Sequence, residues 1–211
     1  MKDSYILSGL LVIALIVIVI LLIMIRKNSL NSGGKESRRK EAAKPEIVAG
    51  KYGEKIASAI IKSVLRESDN YFTNVTVTNG EQVVELDNLI INRRGVYIIE
   101  IKNYSGEIYG EAQDSEWEKL HISRNGNAYV KKIRNPIKQV KRQINIVSDV
   151  FNKNRIRVWV YGYVLMLNNN SPVSNKFTLS SAKEIDSAIH NKGKCNLDRK
   201  TIDMIKRALK V

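Results

Sequence analysis

The stretch Gln82–Lys102, QVVELDNLIINRRGVYIIEIK, decides how this chain folds. Two apolar runs, Gln82–Asn92 and Val96–Lys102, flank the short polar turn Arg93-Arg94-Gly95, which reads as two antiparallel strands. Side chains alternate across a strand. In the second run Ile99 and Ile101 therefore face one side, and Ile98, Glu100 and Lys102 the other. A carboxylate and an ammonium end up side by side at the end of an otherwise buried strand. Burial of a charge is costly unless it is paired or bound to an ion. On the first run Glu85 and Asp87 share a face and Leu86 points away. Pairing through the Arg94-Gly95 turn brings Asp87 near Glu100.

Outward from this hairpin the pattern continues on both sides. Upstream, Gly53–Arg66 carries Ile56, Ala57, Ile60, Ile61, Val64 and Leu65 at helical spacing. Asn70–Thr78 is a further strand, closed by the turn signal Asn79-Gly80. Downstream, Glu107–Gly110, Trp117–Ile122 and Ala128–Ile133 form a β-rich insertion, the last two a hairpin around Asn125-Gly126-Asn127. Asn135-Pro136 reads as an N-cap and first helical residue. Ile137, Val140, Ile144, Val147 and Phe151 then run as an apolar stripe to about Asn152. Arg157–Leu167 is apolar enough for a central strand, and Ser181–Asn191 and Asp198–Val211 read as two closing helices. The expected class is α/β (α+β), a mixed sheet flanked by helices.

Ahead of this body, Tyr5–Ile25 (YILSGLLVIALIVIVILLIMI) is a run of 21 uncharged residues, the length that spans a bilayer core. It is longer than a signal-peptide apolar region and ends at Arg26-Lys27 without a small-residue cleavage site. Basic residues cluster on its C-terminal side, which places the N-terminus outside and the remainder in the cytoplasm of a single-pass cell-membrane protein. Asn28–Pro45 is a polar basic linker that can contact anionic lipid. The expected organisation is an anchor over 1–27, the linker over 28–45, a core over 46–155, and a strand and helices over 156–211 completing the same domain.

Of 211 residues, 35 are basic and 21 acidic, a net charge of +14. Residues 1–44 account for +5 and the body for +9. A basic body points to a polyanion. The single cysteine, Cys195, excludes a disulfide scaffold, and two histidines exclude a His-rich metal centre. No Gly-rich phosphate loop or Ser-His-Asp order is present. Two nearby carboxylates suit an oxygen-ligated Mg2+ or Mn2+, which can polarise a phosphodiester, while Lys102 orients water or stabilises phosphoryl charge. A plain surface salt bridge between Glu100 and Lys102 is the simpler alternative. Lys131, Lys132, Arg134, Lys138, Lys141 and Arg142 gather around the Asn135 helix start. Lys138, Lys141 and Arg142 share a helical face suited to a phosphate backbone or simply to solvent.

Five pieces occur in order: GKYGE at Gly50–Glu54, ELDNLII at Glu85–Ile91, GVYIIEIKNYSG at Gly95–Gly106, Trp117, and NPIKQ at Asn135–Gln139. Together they resemble the nuclease-related domain (NERD) family, over about residues 48–155. The resemblance implies a restriction-endonuclease-like PD-(D/E)xK fold and assigns roles. Glu54 matches the family's acidic residue on the first helix, Asp87 its metal-binding aspartate, Glu100 and Lys102 its E-x-K pair, and Gln139 its polar residue on the later helix. Metal would be held by Asp87, Glu100 and Glu54. Asn88 stands where the family often has histidine, and Leu86 where the superfamily name has proline. The implied function is a membrane-anchored, metal-dependent nuclease with DNA as the expected substrate. A non-catalytic nucleic-acid-binding module and a lipid-resting scaffold are the alternatives. Strandedness and oligomeric state are not legible.

Overall fold

The structure, a computed structural model, describes residues 45–123, 125–168 and 175–211. The expected membrane segment Tyr5–Ile25 and most of the linker lie outside the described residues. Among the described residues no helix is long and apolar enough to cross a membrane. The chain divides into Met1–Val48 and Ala49–Val211, and the fold below is that of the second unit.

Helix α1 (Pro45–Lys62) leads into β1 (Asn70–Thr78), β2 (Val83–Asn92) and β3 (Gly95–Lys102). An insertion of β4 (Glu107–Tyr109), β5 (Glu116–Ile122) and β6 (Ala128–Arg134) follows. Helix α2 (Pro136–Lys153) returns the chain to β7 (Val160–Met166), and β8 (Thr178–Leu179), α3 (Ala182–Asp186) and α4 (Arg199–Leu209) close it. A π-helical turn, Ser187–Asn191, continues α3. The main sheet has the order β1-β2-β3-β7-β8, and β4-β5-β6 form a sheet of their own. β1, β2 and β3 pair antiparallel, whereas β7 is parallel to both β3 and β8. This is a mixed α+β fold with helices on the sheet, as the element order implied.

Each joint has a local cause. The Asn79 side-chain oxygen accepts the Glu81 and Gln82 N–H groups, and Gly80 takes the positive φ of the turn. At the start of α2, Asn135 Oδ1 accepts the Ile137 N–H at 2.9 Å, and Pro136 occupies the position whose N–H would have no partner. β8 was not anticipated. Two residues give no periodic signal, and β8 exists only because β7 offers it an edge.

Helices α2 and α4 bury Val147, Phe151, Ile205 and Leu209 against Leu86, Leu89 and Ile98 on one face. Helices α1 and α3 bury Ala57, Ile61 and Ile185 against Ile90, Tyr97 and Ile99 on the other. β3 is covered on both faces, so its first five residues are buried without alternation of polarity. α2 lies tight on β7: a Cβ at Gly162 would stand 2.2 Å from Val140 Cγ1. A third cluster, with Trp117, Ile108, Ile137 and Val164, ties the insertion to the body. Trp117 is fully buried and donates its indole N–H to the Glu111 carbonyl at 2.8 Å, in keeping with a core role.

One irregularity positions the site. β1–β2 pairing runs Thr73↔Asn88 and Val75↔Leu86, with Asn74 and Asp87 skipped between them. Asn74 has φ +53°, the left-handed region that Asn tolerates better than most residues. The alternation inverts across this step on both strands. Leu86 and Leu89 enter the same cluster, joined by Val75 and by Phe72, although unbroken strands would send each pair to opposite faces.

Candidate active site at the fork of β2 and β3

β2 and β3 pair from Asn92↔Gly95 to Asn88↔Ile99 and no further. The same register carried one step on would oppose Asp87 and Glu100. Instead the strands part, and the Asp87 carboxylate takes over a backbone role: its Oδ2 accepts the Ile101 N–H at 2.8 Å. Asp87 thus sits in the fork, at the step where β2 inverts. It lines a cleft of about 520 Å3 together with Asn88, Ile101 and, from α1, Glu54 and Ser58. The three carboxylates act on one another: the Asp87 carboxyl is pushed up to about 6, by burial first and then by the charge of Glu100, with Glu54 adding to it.

Glu100 is 3% exposed. Both its oxygens are held. Oε1 accepts from Lys102 Nζ at 2.5 Å and from Gln139 Nε2 at 2.6 Å, and Oε2 from Gln143 Nε2 at 2.8 Å. The expected adjacency of Glu100 and Lys102 is therefore real, but it is no exposed surface bridge, with side chains 3% and 20% exposed. Burial alone would lower the Lys102 pKa; the charge and hydrogen bond of Glu100 outweigh that and raise it. Lys102 is accordingly a fixed cation, suited to holding charge or donating a hydrogen bond rather than abstracting a proton.

Gln143 is the residue that sequence reasoning missed. It is buried and also donates to the Glu85 carbonyl at 3.0 Å, so both amide hydrogens are used and the amide orientation is set. Its Oε1 is buried with no hydrogen-bond partner. A signal existed: Gln143 lies on the apolar stripe of α2, three residues from Val140 and four from Gln139, where a polar residue must find a polar partner. Asn88 proves structural. Its Oδ1 accepts from Tyr71 Oη at 2.6 Å and its Nδ2 donates to the Ile99 carbonyl at 3.1 Å. Glu85 contributes its backbone carbonyl, while its side chain is exposed.

Lys138, Lys141 and Arg142 are exposed on α2, the helix that carries Gln139 and Gln143. Lys132 and Arg134 are exposed too, yet they stand on the β5–β6 face that also carries Glu116 and Glu118. Lys132 lies 3.9 Å from Glu116. They are part of an acid–base mosaic rather than of the basic face of α2.

Among the described residues no three His, Cys, Asp or Glu side chains converge closely enough to hold an ion as they stand. The donor set nonetheless suits a hard cation. It is all oxygen, it carries surplus negative charge that lifts Asp87, and it has an orphaned acceptor, Gln143 Oε1, beside Glu100.

An uncharacterized protein of Bacillus anthracis is 35% identical over 69 residues, which is 32% of this chain and 32% of the relative. The chain thus spans about a third of the length of that curated relative. No solved structure matches. The family model described as nuclease-related domain matches residues 49–167, the span from α1 through β7 that builds the fork and both helices facing it. With more than half of its length covered by that match, the chain belongs to the nuclease-related domain (NERD) family, a restriction-endonuclease-like group.

Proposed function

We propose that this protein is a divalent-metal-dependent nuclease that hydrolyses phosphodiester bonds, with DNA as its first substrate, tethered to the cell membrane by Tyr5–Ile25. The observation that carries the reading is the fork itself. Asp87, Glu100 and Lys102 are brought together by an interrupted strand pair and backed by two glutamines, inside a chain of net charge +14. A pure nucleic-acid binder gains nothing from buried carboxylates facing a polyanion.

Asp87 and Glu100, with Glu54 across the cleft, would hold Mg2+ or Mn2+, which supplies Lewis-acid polarisation of the phosphate and acidification of a bound water. The residues of the chain do the rest. Gln139 and Gln143 keep Glu100 in one orientation. Lys102 sets positive charge against a phosphoryl oxygen or donates a hydrogen bond to the attacking water. Lys138, Lys141 and Arg142 offer sequence-independent contacts to the backbone. Glu100 accepts three hydrogen bonds, two on Oε1 and one on Oε2, so a carboxylate with about four acceptor positions would still have one on Oε2 to offer a metal.

The test uses the full-length chain with duplex and single-stranded DNA and RNA, in Mg2+, in Mn2+ and in chelator. Cutting that needs metal and is lost in Asp87→Ala and Lys102→Ala is the expected result. Binding without cutting under any metal would overturn the reading in favour of a binding module. Topology is tested through Cys195, the sole cysteine. An impermeant thiol reagent should label it in permeabilised cells and not in intact ones; equal labelling sinks the proposed orientation.

A further inference from the structure

The β5–β6 hairpin obeys opposite charge rules on its two faces. On the outer face, cross-strand partners are of opposite sign: Glu116↔Arg134 and Glu118↔Lys132. On the inner face, the one that continues from buried Trp117↔Ile133, the next pair is Lys119↔Lys131. Like charges directly opposite on neighbouring strands destabilise a sheet. The row beyond them is His121↔Tyr129, whose rings lie 4.9 Å apart, with Tyr129 51% exposed. This face is continuous with the fork. Lys119 Nζ donates to Ser105 Oγ at 3.2 Å and lies over the Tyr104 ring at 5.9 Å, two residues beyond Lys102. The Tyr104 hydroxyl in turn feels the charges of Lys102 and Glu100.

We infer that the inner face of this hairpin is a track for single-stranded nucleic acid, with a backbone phosphate between Lys119 and Lys131 and an unstacked base on Tyr129 beside His121. The inference deepens the nuclease reading and rests on it for the identity of the polyanion. A phosphate relieves the Lys–Lys repulsion, which none of the paired residues described on that face offsets with an acid. Exposed Tyr129, backed by half-buried His121 one row away, is of little use to a duplex, whose bases are stacked inside, and matches a strand whose bases are free. The outer face has its cross-strand charges paired, and its one exposed aromatic, Tyr109 opposite Glu118, is tied to Glu107 by its hydroxyl.

Binding of fluorescent 15-nucleotide single-stranded DNA, the same sequence as RNA, and the DNA duplex is measured on the full-length chain in chelator, so that cutting plays no part. The double variant Lys119→Gln/Lys131→Gln should weaken single-strand binding roughly tenfold or more and reduce the slope of log affinity against log salt by about 0.7, the value for one single-strand phosphate contact. Tyr129→Ala should weaken single-strand binding by about tenfold and spare the duplex. Lys132→Gln, on the outer face, should leave all three affinities unchanged. The DNA and RNA arms tell which single strand the track prefers. Equal effects of Lys131→Gln and Lys132→Gln, or an equal loss of duplex and single-strand binding in Tyr129→Ala, would overturn the inference. Cutting that depends on Asp87 while the hairpin variants bind normally would remove the track and leave the nuclease. Hairpin-dependent binding with no cutting would do the reverse.

Discussion

The protein buries charge in two places, at opposite ends of its central strands, and treats it differently. Near the turn joining β2 and β3, His190 is buried with both ring nitrogens against carboxylates, Asp186 Oδ1 at 2.6 Å and Asp69 Oδ2 at 2.9 Å. Asp69 also accepts the Arg66 N–H at 2.8 Å, and Arg66 reaches Asp186 at 3.9 Å. Every member answers another, and the cluster pins the start of β1 to the π-helical turn 121 residues later. At the other end, the fork has Asp87 within the influence of the Glu100 and Glu54 carboxylates, together with one ammonium and two glutamines. There the Asp87 carboxyl is pushed up to about 6 and a buried amide oxygen lacks a partner. Closed charge is a structural device. Charge that remains in surplus beside a cleft is paid for elsewhere in the fold and marks a site.

The sharpest way to break this contrast is to neutralise one acid at each end. Asp87→Asn keeps an oxygen for the Ile101 N–H but should lower metal-dependent cleavage by about 10^3-fold or more, read as initial rate on plasmid DNA. Asp69→Asn should leave cleavage per folded molecule intact and cost about 1–3 kcal/mol of stability, read by denaturant unfolding, because it disturbs the buried hydrogen bonds to His190 and to the Arg66 N–H. Comparable losses of activity in both would erase the distinction.

The next effect concerns stability and its pH dependence. The Asp87 carboxyl titrates higher folded, at about 6, than its ordinary 3.8, so the folded state binds its proton more tightly. The favourable contribution is complete below about pH 4 and is lost as pH rises to about 6. Above that, the ionised side chain opposes folding by about 2–3 kcal/mol. Asp87→Asn should therefore be more stable than the native protein at pH 7 and equal to it near pH 3.5. A variant that loses activity while gaining stability separates a functional charge from a structural one. Addition of Mn2+ should stabilise the native protein and not Asp87→Asn, measured as a shift in melting temperature.

The smallest effect tests the glutamine backing. Gln143→Leu removes the orphaned oxygen but also the donor to buried Glu100 Oε2 and to the Glu85 carbonyl, so stability should fall by about 1–2 kcal/mol. Cleavage should fall about tenfold because Glu100 loses one of its two α2 supports. No change in rate would reduce Gln143 to packing.

Much of this was legible before any coordinates. The β2–β3 hairpin, the Asn135-Pro136 helix start and the adjacency of Glu100 and Lys102 follow from local rules: alternation, turn chemistry and capping. The same rules failed at Asp87. Alternation placed Glu85 and Asp87 on one face, and nothing local announced that β1 and β2 would both invert at Asn74 and Asp87 and turn the carboxylate into the fork. Gln143 was overlooked because the apolar stripe was read through its Ile and Val members. Lys132 and Arg134 were grouped with Lys138 by proximity along the chain, whereas face membership on a hairpin depends on parity and pairs them with Glu116 and Glu118.

The sequence by itself determined the elements other than β8, their order, the family, and the identity of the acids and the lysine, because those depend on residues a few positions apart. It also determined the charge excess and the apolar run Tyr5–Ile25. Only the tertiary structure decided which carboxylates meet, which of them has its pKa raised, and that Lys119 stands opposite Lys131 on one face of the β5–β6 hairpin. Those depend on register between distant strands and on burial. Each is a property of groups brought together across the fold, and Coulomb interaction and desolvation act on distance in space, not along the chain.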